Sequence, residues 1–292
     1  MLRRFRLEEP ESVKEASELL ARHGEAARIY AGGTELLLAM KEGLVQYERL
    51  INVKKIPGLD QVKLENSTIR IGALPTHTNL EEDPVLKQKL PAFVQMEHNV
   101  ANVRVRAVGT LGGNLCFAEP HADPGTVLMV LGAKLVAEKA SAKREIPAEQ
   151  FFVDAYETCL EADELLTDIR IPAMPERAGA AYLKFGYLER PSVGVGLFID
   201  WDQGDTIADA RIAVGCAGPR PKRVAEAEEL LKRKSTKEAA SALARAGEVA
   251  ARAADAIGDL HGSAEYKEHI VGVLLKRAFQ QISQQRSSKS QR

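Results

Sequence analysis

Two short stretches carry residue types that hold anions without a charged side chain: Ala31-Gly32-Gly33-Thr34-Glu35-Leu36 and Thr110-Leu111-Gly112-Gly113-Asn114-Leu115. Each follows an apolar, β-prone run. A glycine pair lets main-chain N–H groups approach a ligand and permits positive φ, so successive amides can form a concave donor surface. The same sequences also make plain β-turns, but two of them in one chain point to a ligand with a pyrophosphate. The hydroxyls of Thr34 and Thr110 would add donors to phosphate oxygens; the alternative is that they cap the turns that follow.

No acid–base or nucleophilic constellation accompanies them, so no catalytic residue is assigned. His23 ends a helical pattern and His98 sits on another, which makes both surface or packing residues. His77 and His121 lie beside the two glycine stretches. The three cysteines, Cys116, Cys159 and Cys216, are far apart and form no CxxC or Cys/His spacing. Neither a disulfide framework nor a metal or iron–sulfur site is expected on this chain.

The text around the glycines extends the reading. Tyr30 to Leu37 and Thr110 to Pro124, the latter continuing Cys116-Phe117-Ala118-Glu119-Pro120-His121-Ala122-Asp123, resemble the FAD-binding (medium) subunits of the molybdenum hydroxylases, the group of CO dehydrogenase and xanthine dehydrogenase. Arg70-Ile71-Gly72-Ala73-Leu74-Pro75-Thr76-His77-Thr78 resembles that family's second strand and turn. Phe151-Phe152 to Thr158, Leu160, Glu164-Leu165-Leu166 and Ile169-Arg170-Ile171-Pro172 resemble the close of its flavin domain. Gly262-Ser263-Ala264-Glu265-Tyr266 and Lys276-Arg277-Ala278 resemble its C-terminal domain.

The resemblance implies a non-covalent FAD, with the amides of Ala31, Gly32, Gly33, Thr34, Glu35 and Leu36 and of Thr110, Leu111, Gly112, Gly113 and Asn114 around its pyrophosphate. Asp123 would accept from an FAD hydroxyl or amino group, or else N-cap the helix starting near Pro124. Val100 and Leu166 would give apolar or main-chain contacts. Lys184 would stand near the flavin ring, or else be an exposed strand lysine. Glu35 departs from the family pattern, and an acid there should face away from phosphates.

The implied role is electron transfer inside a larger enzyme, for which a flavin brings its own redox chemistry. A molybdopterin-binding large subunit hydroxylates the substrate, and a small subunit with [2Fe–2S] clusters relays electrons. FAD then delivers them to NAD, a quinone or O2, in an expected dimer of heterotrimers. The alternatives are a self-sufficient FAD oxidoreductase of the same fold group and a cofactor-free scaffold.

The elements that must position these residues read as α+β. Ser12-Val13-Lys14-Glu15 is a capping box before a helix that stops at Gly24. Ala27 to Tyr30 is a strand delivering the first glycine stretch, and a helix begins within Thr34 to Met40. Ser67 to Ala73 is a strand, Pro84 to Asn102 is helix interrupted at Pro91, Gly125 to Leu131 a helix, and Ala133 to Ala137 and Leu166 to Ile171 strands. Met174 to Gly179 reads as a linker.

Three strands follow, at Ala181 to Tyr187, Val193 to Asp200 and Ala208 to Val214, then Ala-rich helices opened by a second box at Ser235 and Glu238. The expected domains are residues 1–175, divided at about 55 into two subdomains with FAD between them, and 178–285. The first resembles vanillyl-alcohol-oxidase/PCMH-like folds, the second is a three-stranded antiparallel sheet with helices, and 286–292 is a frayed polar tail.

The 292 residues, 45% hydrophobic and 28% charged, describe an ordinary folding chain. A net charge of −1 offers no basic field for nucleic acid. The basic start Met1 to Leu7 reaches Glu8, Glu9 and Pro10 before any signal-peptide core. No run approaches the roughly 18–20 apolar residues of a membrane span. The expected location is the cytoplasm.

Overall fold

Ser12 caps the helix Val13–His23 by accepting the Glu15 N–H, whereas the Glu15 carboxylate reaches back one residue further than a capping box requires, to the N–H of Glu11. This computed structural model describes residues 2–186 and 190–290. Met1, residues 187–189, among them Tyr187 at the end of an expected strand, and Gln291 and Arg292 lie outside the described residues. The helix stops at Gly24, in positive φ, and the chain enters the strand Ala27–Tyr30. That strand lies in a three-stranded parallel sheet in the order Arg6–Glu8, Arg49–Asn52, Ala27–Tyr30. The first glycine stretch leaves its end and leads into the helix Leu36–Glu42.

The next unit is a five-stranded antiparallel sheet ordered Val62–Glu65, Thr68–Gly72, Leu165–Pro172, Lys134–Lys139, Ala142–Pro147. Short helices are threaded between its strands. Thr76 opens the helix His77–Glu82 with a full capping box to Asn79, and Asp83 caps Pro84–Lys89. Pro91 starts the next helix, Pro91–His98, where the sequence placed an interruption. Inward-facing Ile69, Ile71, Leu135 and Ile169 meet Phe93, Leu111 and Leu128 in one core. Each such side chain contributes about 1.5–3 kcal/mol on burial.

The C-terminal sheet has four strands rather than the expected three: Gly179–Phe185, Val193–Trp201, Ile207–Gly215 and the two-residue Lys222–Arg223, all antiparallel. The last is too short to carry a period-2 signal and is fixed only by pairing with Ala213 and Val214. Its neighbours are the helices Ala225–Glu229, Thr236–Ala253, opened by the Ser235/Glu238 box, and Ala264–Ser290. That final helix continues through the stretch expected to fray. Its apolar face packs as far as Ile282, and Arg286 stacks on Trp201 and bonds to Gly204 O. The first core also takes in Tyr182, Phe198 and Ala213, so the C-terminal sheet packs directly on the preceding unit.

Candidate functional site

The two glycine stretches, 78 residues apart in sequence when counted from Gly32 to Thr110, touch in the fold. A Cβ on Gly32 would lie 2.4 Å from Val108 O, 2.9 Å from Gly109 Cα and 3.1 Å from Thr110 N. Only hydrogen fits there. Gly33 has φ 74°, and a Cβ on it would sit 2.4 Å from the Tyr30 ring. Among the described residues, none of the N–H groups from Gly32 to Leu36 has a main-chain acceptor. Five consecutive amides without a main-chain acceptor, at a positive-φ glycine, are free to donate to a ligand.

The second stretch differs from its expected form. It is no free turn but the start of the helix Leu111–Phe117, with Thr110 as N-cap. Its amides are already engaged: Leu111 N–H to Pro75 O, Gly112 N–H to Ala73 O, Asn114 N–H to Thr110 O, and Gly113 N–H to Thr110 Oγ1. The glycines there serve packing, since a Cβ on Gly112 would meet Ala73 at 2.6 Å and one on Gly113 would meet Thr110 Oγ1 at 2.8 Å. The Thr110 main-chain N–H remains without a partner among the described residues, beside Gly32. Thr110 therefore caps, as the alternative had it, while its hydroxyl proton stays available. The buried Oδ1 of Asn114 is also unpartnered.

Asp123 sits at the N-cap position of the helix Pro124–Val130 but does not cap it. Its backbone there is helical, and its carboxylate turns to the C-terminal sheet instead. Oδ1 accepts from Tyr182 Oη at 2.6 Å and Oδ2 from Lys184 Nζ at 2.9 Å. Burial pushes the Asp123 carboxyl up, and Lys184 and Tyr182 pull it back. Lys184 is thus no exposed strand lysine: it also donates to Asn99 O at 2.7 Å. The two residues expected to touch the cofactor separately are partners. Val100, Leu111 and Leu166 are buried in the apolar core.

A second polar group lies near Glu35 of the first stretch, close enough for Glu119 and Arg190 to act on its carboxyl. His121 bridges Glu119, at 3.0 Å through Nδ1, and Asp259 of the C-terminal unit, at 3.3 Å through Nε2. Arg190 stands 3.7 Å from Glu119. Glu35 is half-buried, and burial raises its carboxyl, with Arg190 opposing and Glu119 adding to the rise. Behind the second stretch, His77 pairs with Glu97 at 2.6 Å. His23 and His98 take no part in the site, and His98 pairs with Glu81 at the surface.

Glu97, Glu119, Tyr182 and Arg190 were not among the residues singled out from sequence. Glu119 stood inside a quoted motif and carried a readable signal, an acid next to Pro120 two residues from His121. Glu97 and Tyr182 sit in ordinary helix and strand patterns, so nothing local marks them. No cluster of three or more metal-ligating side chains occurs among the described residues, and no helix there is long and apolar enough to cross a membrane. The three cysteines are free thiols.

Residues 3–174 match the family described as FAD binding domain in molybdopterin dehydrogenase, and residues 190–282 the CO dehydrogenase flavoprotein C-terminal domain. The chain is 34% identical over 278 residues to the carbon monoxide dehydrogenase medium chain of Hydrogenophaga pseudoflava, covering 94% of this chain and 96% of that one. It is 33% identical to the nicotine 6-hydroxylase medium subunit of Paenarthrobacter nicotinovorans, with the same coverage of 94% and 96%. A chain of the solved carbon monoxide dehydrogenase from Hydrogenophaga pseudoflava superposes with a TM-score of 0.92 at 33% identity, over 98% of this chain and 99% of that chain.

Proposed function

This chain belongs to the FAD-binding subunits of the molybdopterin dehydrogenases, of CO dehydrogenase and xanthine dehydrogenase type, and from that premise we propose that it is the electron-delivering component of a heteromeric hydroxylase. It takes electrons from [2Fe–2S] clusters on a small partner and passes them to NAD, a quinone or O2. A molybdopterin-binding large partner carries the substrate pocket. The assembly is a dimer of such heterotrimers in the cytoplasm.

The observation that carries the reading is the row of amides from Gly32 to Leu36 without a main-chain acceptor, beside the likewise unbonded Thr110 N–H at a contact that admits no side chain. It fits FAD: a dinucleotide pyrophosphate takes several main-chain donors at once and needs no arginine. Ala31 to Leu36 hold one side of it. Thr110 adds its N–H and hydroxyl from the other side, and Asn114 lines the site beside it. Gly112 and Gly113 act by letting the helix Leu111–Phe117 approach the strand.

When bound, FAD supplies one- and two-electron redox chemistry that amino-acid side chains lack. This chain's residues bind and orient it. Asp123 and Lys184 would present a largely buried ion pair to the cofactor, and Val100, Leu111 and Leu166, buried in the apolar core, would back the site. A buried ion pair held in this way would fix charge near the site. Residues 1–175 form the cofactor unit and 178–285 close it from one side.

Reconstitution tests the division of labour. The purified chain loaded with FAD should oxidise no purine, aldehyde or CO alone, and should gain turnover only with a molybdopterin partner and an iron–sulfur partner. Substrate oxidation by the isolated chain would contradict it.

A further inference from the structure

Tyr156 is a bulky residue in a place that suits glycine. With Ala155 it forms the two-residue turn between Asp154 and Glu157, which pair across the hairpin Phe152–Asp154 and Glu157–Thr158. Its φ is 60°, a left-handed value that tight hairpin turns assign to Gly or Asn and that is an outlier for a large side chain. The group that holds it there is equally unusual. The Tyr156 N–H donates at 2.8 Å to Ala118 O. Ala118 ends the helix Leu111–Phe117 and is itself at φ 51°, where helix ends favour glycine. Two non-glycine residues in left-handed conformations, bonded to each other, store strain that the neighbouring structure maintains, and such strain gathers at ligand sites.

What the strain achieves is the placement of one aromatic ring. Tyr156 is 56% exposed. Phe117 meets it at 5.5 Å between centroids and 82° between planes, so it covers at most one of the two faces of the Tyr156 ring. The ring is tied to both glycine stretches. Phe117 ends the helix that Thr110 starts, one helix length or about 10 Å away. The Tyr156 hydroxyl also lies within the field of Glu35, in the first stretch: burial, then Glu119 and Glu35, raise it, with Arg190 opposing.

The polar groups around the two stretches divide by chemistry. Near Tyr156 stand the carboxylates Glu35 and Glu119, which accept. The Lys184 ammonium, which only donates, is held by Asp123 and Asn99 O. A flavin dinucleotide is asymmetric in the same sense. Its adenosine end offers a flat base with an exocyclic amino group and ribose hydroxyls, all donors, whereas the isoalloxazine edge carries carbonyl oxygens that a carboxylate repels. An exposed aromatic face among carboxylates therefore suits the adenosine.

We propose that Tyr156 is an adenine-binding residue of the FAD site: its ring is the face on which the adenine stacks, with Glu35 beside it as an acceptor for the donors of the adenosine. The proposal rests on the FAD reading above and names which half of the dinucleotide lies on this side.

The test is titration of the flavin-free full chain, followed by flavin fluorescence, with FAD and separately with FMN, which has the same ring and a phosphate but no adenosine. Tyr156→Gly removes the aromatic face and suits the left-handed backbone. It should weaken FAD binding about tenfold and leave FMN binding unchanged. Tyr156→Asn, which also tolerates positive φ, should do the same, and Tyr156→Phe, which keeps the stacking face, should bind FAD as the wild type does. A merely structural residue would lower both affinities together, so the ratio of FAD to FMN affinity is the decisive reading.

Unchanged FAD affinity in Tyr156→Gly and Tyr156→Asn, or an equal loss for FMN, overturns the role of Tyr156 while leaving the FAD site intact, provided Gly32→Val weakens FAD binding. If the wild type binds no FAD, or Gly32→Val binds it equally well, the reading of the site falls and this inference with it.

Discussion

Gly32 and Gly109 are in backbone contact: a Cβ on Gly32 would lie 2.9 Å from Gly109 Cα and 2.4 Å from the neighbouring Val108 O. Neither atom belongs to a flexible side chain, so the clash cannot be relieved by a rotamer change. Gly32→Val should force the two stretches apart, at a cost of about 1–3 kcal/mol, and lower FAD affinity at least tenfold, or about 1.4 kcal/mol. Titration with FAD and urea unfolding of the same variant check both numbers. Unchanged affinity would mean that the contact does not shape the cradle.

Asp123, Tyr182 and Lys184 tie the C-terminal sheet to the cofactor unit. Tyr182→Phe leaves one buried carboxylate oxygen short of a donor and should destabilise by about 1–3 kcal/mol. Asp123→Ala strands Lys184, whose side chain is 19% exposed, and should cost more, about 3–5 kcal/mol. Denaturant unfolding orders the two variants. The reverse order would show that the ion pair is solvated and weak.

The Glu119–His121–Asp259 bridge makes the attachment of the loop carrying Asp259 depend on pH. The contact with Glu119 raises the His121 imidazole, against burial, and Asp259 adds to the rise. This contribution to stability is complete below the unfolded imidazole value of about 6.5 and is lost as pH rises through the raised folded value. Glu119 is opposite in sign: burial would raise its carboxyl, but His121 and Arg190 outweigh that and lower it. Its contribution is present above the unfolded carboxyl value of about 4.3 and lost as pH falls through the lowered one. Unfolding free energy should therefore be highest between these two unfolded values, about 4.3 and 6.5, and fall on either side as pH moves through the folded value of Glu119 or of His121. His121→Gln should flatten the alkaline side, and a wild-type curve equally flat there would contradict the bridge.

Much of this architecture is legible in sequence because its signals are local. Ser12, Thr76, Asp83 and Ser235 cap helices by contacts within three residues, and Pro84 and Pro91 mark helix starts by stereochemistry alone. The positive φ at Gly33 in the first glycine stretch is legible for the same reason. The second was misleading: Leu111, Gly112 and Gly113 look like a turn, yet Pro75 and Ala73 carbonyls from another segment draw their amides into a packed helix start.

Asp123 shows the same limit. Its position before Pro124 reads as a cap, but Tyr182 and Lys184 arrive from 59 and 61 residues away and outcompete the local bond. The Glu97 partnership with His77, 20 residues distant, had no sequence signal at all. Helix continuation through Ser287 and Ser288, where composition suggested fraying, likewise follows from upstream packing that residue types there do not record.

The most direct measurement is the absorption spectrum of the purified chain, followed by denaturation and chromatography of whatever cofactor is released. The account predicts flavin bands, with FAD freed intact by denaturation because no covalent link holds it. A colourless chain that also takes up no added FAD would contradict it.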